Sequence, residues 1–291
     1  MTEIEFHRPT DLGEAIALLG DLGEEARVVA GSTAVSIMLG QGLIAPRALV
    51  SIMQVPGMAG IRRSNGHLEI GALTTHRAVE LSPLARETIP VLAETFGLVA
   101  NVRVRNAATV GGVLAEADYA SDPPAVLLAL DASVVARGPD GERTIPLNAF
   151  FKAFYETDLA ATEILTTLRV PIPREGTAAS YQKFVTRSSE DRPCVGAVAA
   201  IRFAADGHTI DDLRIAVAAA AETPQRFAEV EATARGAELS DELVRRLADE
   251  YAERIDTLDD LRGSAWYRSR MVRVWIRRAI QAAVERGMPA A

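Results

Sequence analysis

Apolar residues recur along this chain with two periods, helical and alternating, and their succession predicts an α+β protein. Leu12, Ala15, Ile16, Leu18 and Leu19 repeat at the spacing of one helix face. Asp11 and Glu14 form a capping pair ahead of them, and Gly20 and Gly23 end the segment. A strand over 27–30, a short helix over 34–41 and a strand over 48–52 follow, after which Pro56 and Gly57 mark a boundary. Strands near Ile61 and over 68–70 come next, then helices over 77–81 and 89–96, and an apolar helix running from Pro123 and Pro124 to Leu130. The prolines and glycine of 169–176 read as a linker. Beyond it, 195–203 and 213–220 read as antiparallel strands with Asp206 and Gly207 as a turn between them. Ser240 opens an amphipathic helix carrying Leu243, Val244, Leu247 and Tyr251, and 265–284 reads as a long final helix. No internal repeat interrupts this order.

Two small-residue turns punctuate the pattern: Val29-Ala30-Gly31-Ser32-Thr33-Ala34 and Ala107-Ala108-Thr109-Val110-Gly111-Gly112. Side chains this small let backbone amides approach a bulky anion, and the neighbouring hydroxyls add donors, so the pair suits a clasp on one dinucleotide. The same residues also occur in plain turns that bind nothing. Neither is a G-x-G-x-x-G fingerprint, and neither ends in the Gly-Lys-Ser/Thr of a phosphate loop.

Composition narrows the class. The 291 residues are 48% hydrophobic, enough for a sizeable core and two domains. No apolar run reaches the length of a bilayer span, and the start, Met1 to Phe6, lacks the basic end and apolar stretch of a secretion signal, so a cytoplasmic protein is expected. A net charge of -8 excludes a nucleic-acid binder, which needs a concentrated basic surface. Arg268, Arg270, Arg273, Arg277 and Arg278 recur beside the stripe Met271, Val274, Trp275 and Ile276, reading as a solvated face or a contact for an acidic partner. The single cysteine, Cys194, precedes an apolar strand and reads as a buried thiol; alone it forms no internal disulfide and holds no iron-sulfur cluster. The four histidines, His7, His67, His76 and His208, have no metal-ligand spacing, so no metal site is expected.

The second turn lies in a run, Arg105 to Asp118, that continues through Ser121-Asp122-Pro123-Pro124 to Ala132. Around it stand the first turn with Ala45-Pro46-Arg47, the segment Ile70 to His76, Asp158 to Pro171 with Glu163-Ile164-Leu165, Tyr181-Gln182-Lys183-Phe184 with Arg187, Thr223-Pro224-Gln225-Arg226, and Arg262-Gly263-Ser264-Ala265-Trp266-Tyr267-Arg268. In this order the motifs closely resemble the FAD-binding medium subunits of molybdenum hydroxylases, the family of the carbon monoxide dehydrogenase and xanthine dehydrogenase flavoproteins. The likeness covers nearly the whole chain.

The resemblance implies a two-subdomain FAD-binding fold of the vanillyl-alcohol oxidase and p-cresol methylhydroxylase type over 1–174, with subdomains of about 1–55 and 56–174. A C-terminal domain of small antiparallel sheet plus helices follows over 175–291. It implies FAD bound by Val29, Ala30, Gly31, Ser32, Thr33 and Ala34 and by Ala108, Thr109, Gly111 and Gly112. Asp122 accepts hydrogen bonds from the flavin, Leu165 lies against it, and Lys183 supplies positive charge; without the resemblance, Asp122 before two prolines reads as a helix cap. No residue is assigned as catalytic acid or base. The implied partners are a molybdenum-pterin large subunit and an iron-sulfur small subunit, in a dimer of heterotrimers. Two positions depart from the family pattern: Ser32 replaces a second glycine, and Val113 replaces a polar residue. A free-standing flavoprotein oxidase and a cofactor-free scaffold are the alternative readings.

Overall fold

The computed structural model describes residues 4–287; Met1 to Glu3, part of the amino-terminal segment read above, lie outside the described residues. Three larger sheets organise the described residues, with a two-stranded one, Phe151–Ala153 against Glu156–Thr157, beside them. The first is parallel, with Ala48–Ser51 between Glu5–His7 and Ala26–Val29. The helix Leu12–Leu22 joins its strands and packs Ala15 and Leu19 into the core. Asp11 caps that helix by accepting from the Glu14 amide at 2.9 Å. Gly20 lies inside the helix, and Gly23, at φ 58°, is the residue that ends it.

The second sheet is antiparallel and five-stranded, in the order Ile61–Ser64, His67–Gly71, Ile164–Pro171, Ser133–Gly138, Gly141–Pro146. Its long central strand comes from far along the chain, and Arg169 to Pro171 extend that strand rather than opening the linker, which begins at Ile172. Short helices fill the sequence between the strands. Two of them, Pro83–Thr88 and Val102–Ala107, escape periodicity because neither reaches two full turns.

The third sheet is antiparallel, with Val195–Phe203 between Ala178–Phe184 and Ile210–Ala218. One face, with Tyr181, Val198, Ala216 and Ala218, joins the core of the preceding sheets. The opposite face, with Ala197, Ala199, Ile215 and Val217, packs on the helices Asp241–Arg254 and Ala265–Gly287. Burial on both faces explains why Val195 to Ile201 reads as an unbroken apolar run. Cys194, ahead of that strand, is fully buried.

The final helix departs from the sequence reading. Its inner stripe is Val272, Ile276, Ala279, Ile280 and Ala283, and Arg268 lies on it, fully buried. The Arg268 guanidinium donates to the Cys194, Leu258 and Gly263 carbonyls and to Asp260 Oδ1. Only Arg270, Arg277 and Arg278 remain exposed on that helix among the arginines singled out above, with Arg273 half-buried against Asp249.

Candidate functional site

The strand Ala26–Val29 runs parallel to Ala48–Ser51 up to the Val29 and Ser51 pair, then leaves the sheet into the first turn. Ser32 sits there at φ 56°, and its hydroxyl donates to the Ala30 carbonyl at 3.1 Å. Among the described residues, the amides of Gly31, Ser32, Thr33 and Ala34 donate to no protein acceptor. Successive amides around a left-handed residue form a concave anion nest. The helix Val35–Gly40 continues from it.

The second turn has the opposite bonding. Val110 donates to the Thr74 carbonyl at 2.9 Å and Gly111 to the Ala72 carbonyl at 2.8 Å. Thr109 caps the helix Val110–Glu116, its Oγ1 accepting from the Gly112 amide at 3.1 Å. The amides of residues 31–34 are thus without protein partners, whereas those of Val110, Gly111 and Gly112 are engaged. What Thr109 keeps free is its hydroxyl proton. Glycine is needed at 111 for packing, since a Cβ there would lie 2.6 Å from the Ala72 methyl. A Cβ on Gly31 would lie 1.8 Å from the Ala107 carbonyl oxygen, so the two turns touch backbone to backbone.

Both turns line one cleft of about 1140 Å³, beyond the roughly 300–1,000 Å³ of ordinary small-molecule sites. Every residue assigned to the cofactor above lines it: Val29 to Ala34, Ala108, Thr109, Gly111, Gly112, Asp122, Leu165 and Lys183. Leu165 comes from the strand Ile164–Pro171, at a bulge opposite Ser133–Gly138. Asp122 precedes the helix Pro123–Ala129 but caps nothing, its own dihedrals being helical at φ -73° and ψ -49°. Its Oδ2 accepts from Lys183 Nζ at 2.9 Å and its Oδ1 from the Tyr181 hydroxyl at 2.7 Å. Burial holds the Asp122 carboxyl above its ordinary range, against the opposing pull of Lys183 and Tyr181. Lys183 also donates to the Leu98 carbonyl at 2.9 Å, which leaves one ammonium proton for a ligand.

Other cleft residues carried no assignment from the sequence. His76 lines the cleft from behind the second turn, its Nε2 lying 3.2 Å from the Thr109 carbonyl and its ring edge-on to Phe96. Burial lowers its pKa to about 4, Arg105 adding to the effect against the Thr109 hydrogen bond. Glu116, at the far end of the capped helix, is raised to about 7 by burial and by Asp118, with Arg192 and Arg27 opposing. Arg192 reaches 2.5 Å from Asp118 and 3.9 Å from Glu116, joining the loop after Phe184 to the cleft wall. On the same rim Asp260 accepts from Tyr119 at 2.7 Å and from Arg262 at 2.8 Å. His76 meets Thr109, Arg192 meets Asp118 and Tyr119 meets Asp260 only across tens to over a hundred residues, whereas Glu116 with Asp118 and Asp260 with Arg262 are two residues apart. Tyr181 had one signal, its position two residues before Lys183.

Residues 2–173 match the family model described as FAD binding domain in molybdopterin dehydrogenase, and residues 179–283 that of the CO dehydrogenase flavoprotein C-terminal domain. The carbon monoxide dehydrogenase medium chain of Hydrogenophaga pseudoflava is 34% identical over 279 residues, covering 96% of both chains. The 6-hydroxypseudooxynicotine dehydrogenase complex subunit alpha of Paenarthrobacter nicotinovorans is 32% identical, covering 94% of this chain and 92% of its own. A solved carbon monoxide dehydrogenase from Hydrogenophaga pseudoflava, lacking the Mo-pyranopterin moiety, contains a chain that superposes with a TM-score of 0.94 at 35% identity, with 98% of each covered. With an anion nest opening on a dinucleotide-sized cleft and these matches along its length, the chain belongs to the FAD-binding medium subunits of the molybdenum hydroxylases, a family of oxidoreductases.

Proposed function

We propose that this subunit transfers electrons within a molybdenum hydroxylase, with FAD extended in the cleft between the two turns. The observation that carries the reading is the row of unpaired amides from Gly31 to Ala34, in residues that line a cleft of this size. These donors suit a pyrophosphate, and the Thr109 hydroxyl has a proton to give the same group. Ala30, Ala108 and Gly112, small residues of the lining, permit close approach of a bulky group, and Val29 and Gly111 line the cleft beside them. Leu165 offers an apolar wall to the ring system. Lys183 offers positive charge, and Asp122 keeps lone pairs beyond the two already engaged. When bound, the isoalloxazine ring supplies the redox chemistry; the chain supplies position and electrostatics.

In this reading electrons arrive from an iron-sulfur small subunit, and a molybdenum-pterin large subunit selects and hydroxylates the organic substrate. The complex is a dimer of heterotrimers in the cytoplasm. Among the described residues no helix is long and apolar enough to cross a membrane. The chain divides near residue 174 into an FAD-binding domain, with subdomains of about 1–55 and 56–174, and a C-terminal domain over 175–291. The fully buried Cys194 lies outside the cleft lining and offers no thiol for tethering a flavin.

The deciding experiment is the visible spectrum of the purified chain before and after adding FAD, with bound cofactor released by denaturation and identified. Flavin bands accounting for FAD near one per chain support the reading. A chain that stays colourless in excess FAD would sink it and favour the scaffold.

A further inference from the structure

Tyr181 is held at the seam between the third sheet and the helix Pro123–Ala129 by more than space filling. It and Lys183 stand on the same face of the strand Ala178–Phe184, two residues apart. Each takes one oxygen of the Asp122 carboxylate. The neighbouring strand makes room for the phenol: a Cβ on Gly196 would fall 2.2 Å from the Tyr181 hydroxyl oxygen, and Gly196 is the cross-strand partner of Lys183. Asp122 itself has helical dihedrals, φ -73° and ψ -49°, instead of the extended ones of a capping residue, and its carboxylate makes no cap bond. A phenylalanine would fill the same space without burying a hydroxyl, so the chemistry of the position lies in its hydrogen bond.

We propose that Tyr181 is a positioning residue for the flavin: its hydroxyl holds the Asp122 carboxylate in place as the counterion of Lys183, and so sets the charge that the cleft wall presents. This rests on the FAD reading above. The groups facing Asp122 are Tyr181 and Lys183 from the strand and Arg192 from the loop that follows it. A hydrogen bond to the ionised form favours ionisation, so without the phenol Asp122 takes up a proton at higher pH. Lys183 is then uncompensated, and positive charge beside a flavin favours the electron-rich reduced form.

The test is the midpoint potential of the flavin in the full-length FAD-loaded chain, measured from mildly alkaline to mildly acid solution, for wild type and Tyr181→Phe. The variant should match wild type on the alkaline side and rise to a more positive potential as pH falls. That rise should begin about one pH unit higher than in wild type, the scale of a hydrogen bond to a charged group. Asp122→Asn should be more positive than wild type on the alkaline side and converge with it as Asp122 protonates, and adding Tyr181→Phe to it should produce no further shift. Coincident curves for wild type and Tyr181→Phe overturn the proposal, as does an undiminished Tyr181→Phe shift in the Asp122→Asn background; in either case FAD binding stands. A wild-type chain that takes up no FAD overturns both readings. If Tyr181→Phe does not fold, the Gly196→Ala chain, in which the added methyl displaces the phenol, should show the same acid-side rise, and its absence also overturns the proposal.

Discussion

The two turns look alike in sequence and are bonded in opposite senses. The first, lining the cleft, leaves its amides without protein partners, whereas the second directs those of Val110 and Gly111 into the protein, to Thr74 and Ala72, and that of Gly112 to the Thr109 hydroxyl. Small residues therefore have different causes on the two sides. Around Ser32 they allow a nest; at Gly111 they allow a helix to press against Ala72. The two meet at Gly31 and Ala107, so the ligand-facing turn is braced by the packed one.

The sharpest way to break this arrangement is Gly31→Ala. Its methyl would overlap the Ala107 carbonyl, and a backbone atom yields less readily than a side chain. We expect loss of about 2 kcal/mol or more of stability and at least a hundredfold weaker FAD binding, read by thermal melting and flavin titration. Unchanged affinity would mean that the contact between the turns does not brace the nest.

The inward bonding of the second turn carries its own pH dependence through His76. Its folded pKa of about 4 lies below the ordinary value of 6.5. The neutral ring is thus favoured in the folded state, and its contribution is fully present above the ordinary value. It is lost progressively as pH falls from there toward about 4. The full difference is on the order of 3 kcal/mol. His76→Gln should flatten this part of the stability curve, as followed by denaturant midpoints. An equally steep curve in the variant would assign the dependence to other groups.

Gly111→Ala tests whether the second turn serves packing. The added methyl meets Ala72, and we expect about 1–3 kcal/mol of destabilisation with less than tenfold change in FAD affinity of the folded chain. An affinity loss as large as that of Gly31→Ala would erase the distinction between the turns.

How much of this was legible in sequence follows from how local each cause is. Caps such as Asp11 and Ser240 are set by residues three positions away and read directly. The strand Val195–Phe203 reads as a run because both its faces are buried. The cleft-lining residues assigned to the cofactor were reachable through motifs, since the resemblance carried those residue by residue. The bonding state of the amides was not, because Thr74 and Ala72 meet the second turn only after the chain has folded back. Arg268 misled for the same reason: a charged residue at helical spacing reads as solvated, but carbonyls at Cys194, Leu258 and Gly263 converge on it. Asp122 lost its cap reading to partners 59 and 61 residues away.

The smallest effect sharpens the comparison most finely, because it concerns the one residue of the first turn that departs from the family pattern. Ser32 occupies the left-handed region at φ 56°, where a side chain costs roughly 1 kcal/mol and glycine costs little. Its hydroxyl recovers part of that through the bond to the Ala30 carbonyl. Ser32→Gly removes both the strain and the bond while leaving every amide of the nest in place. If the nest is made by backbone conformation, the cofactor-free chain should gain up to about 1 kcal/mol and FAD affinity should stay within about threefold. If the serine hydroxyl itself grips the ligand, affinity should instead fall about tenfold with no loss of stability. Calorimetric titration beside a thermal melt separates these outcomes, and the first would show that the nest depends on the left-handed backbone rather than on the side chain that replaced glycine.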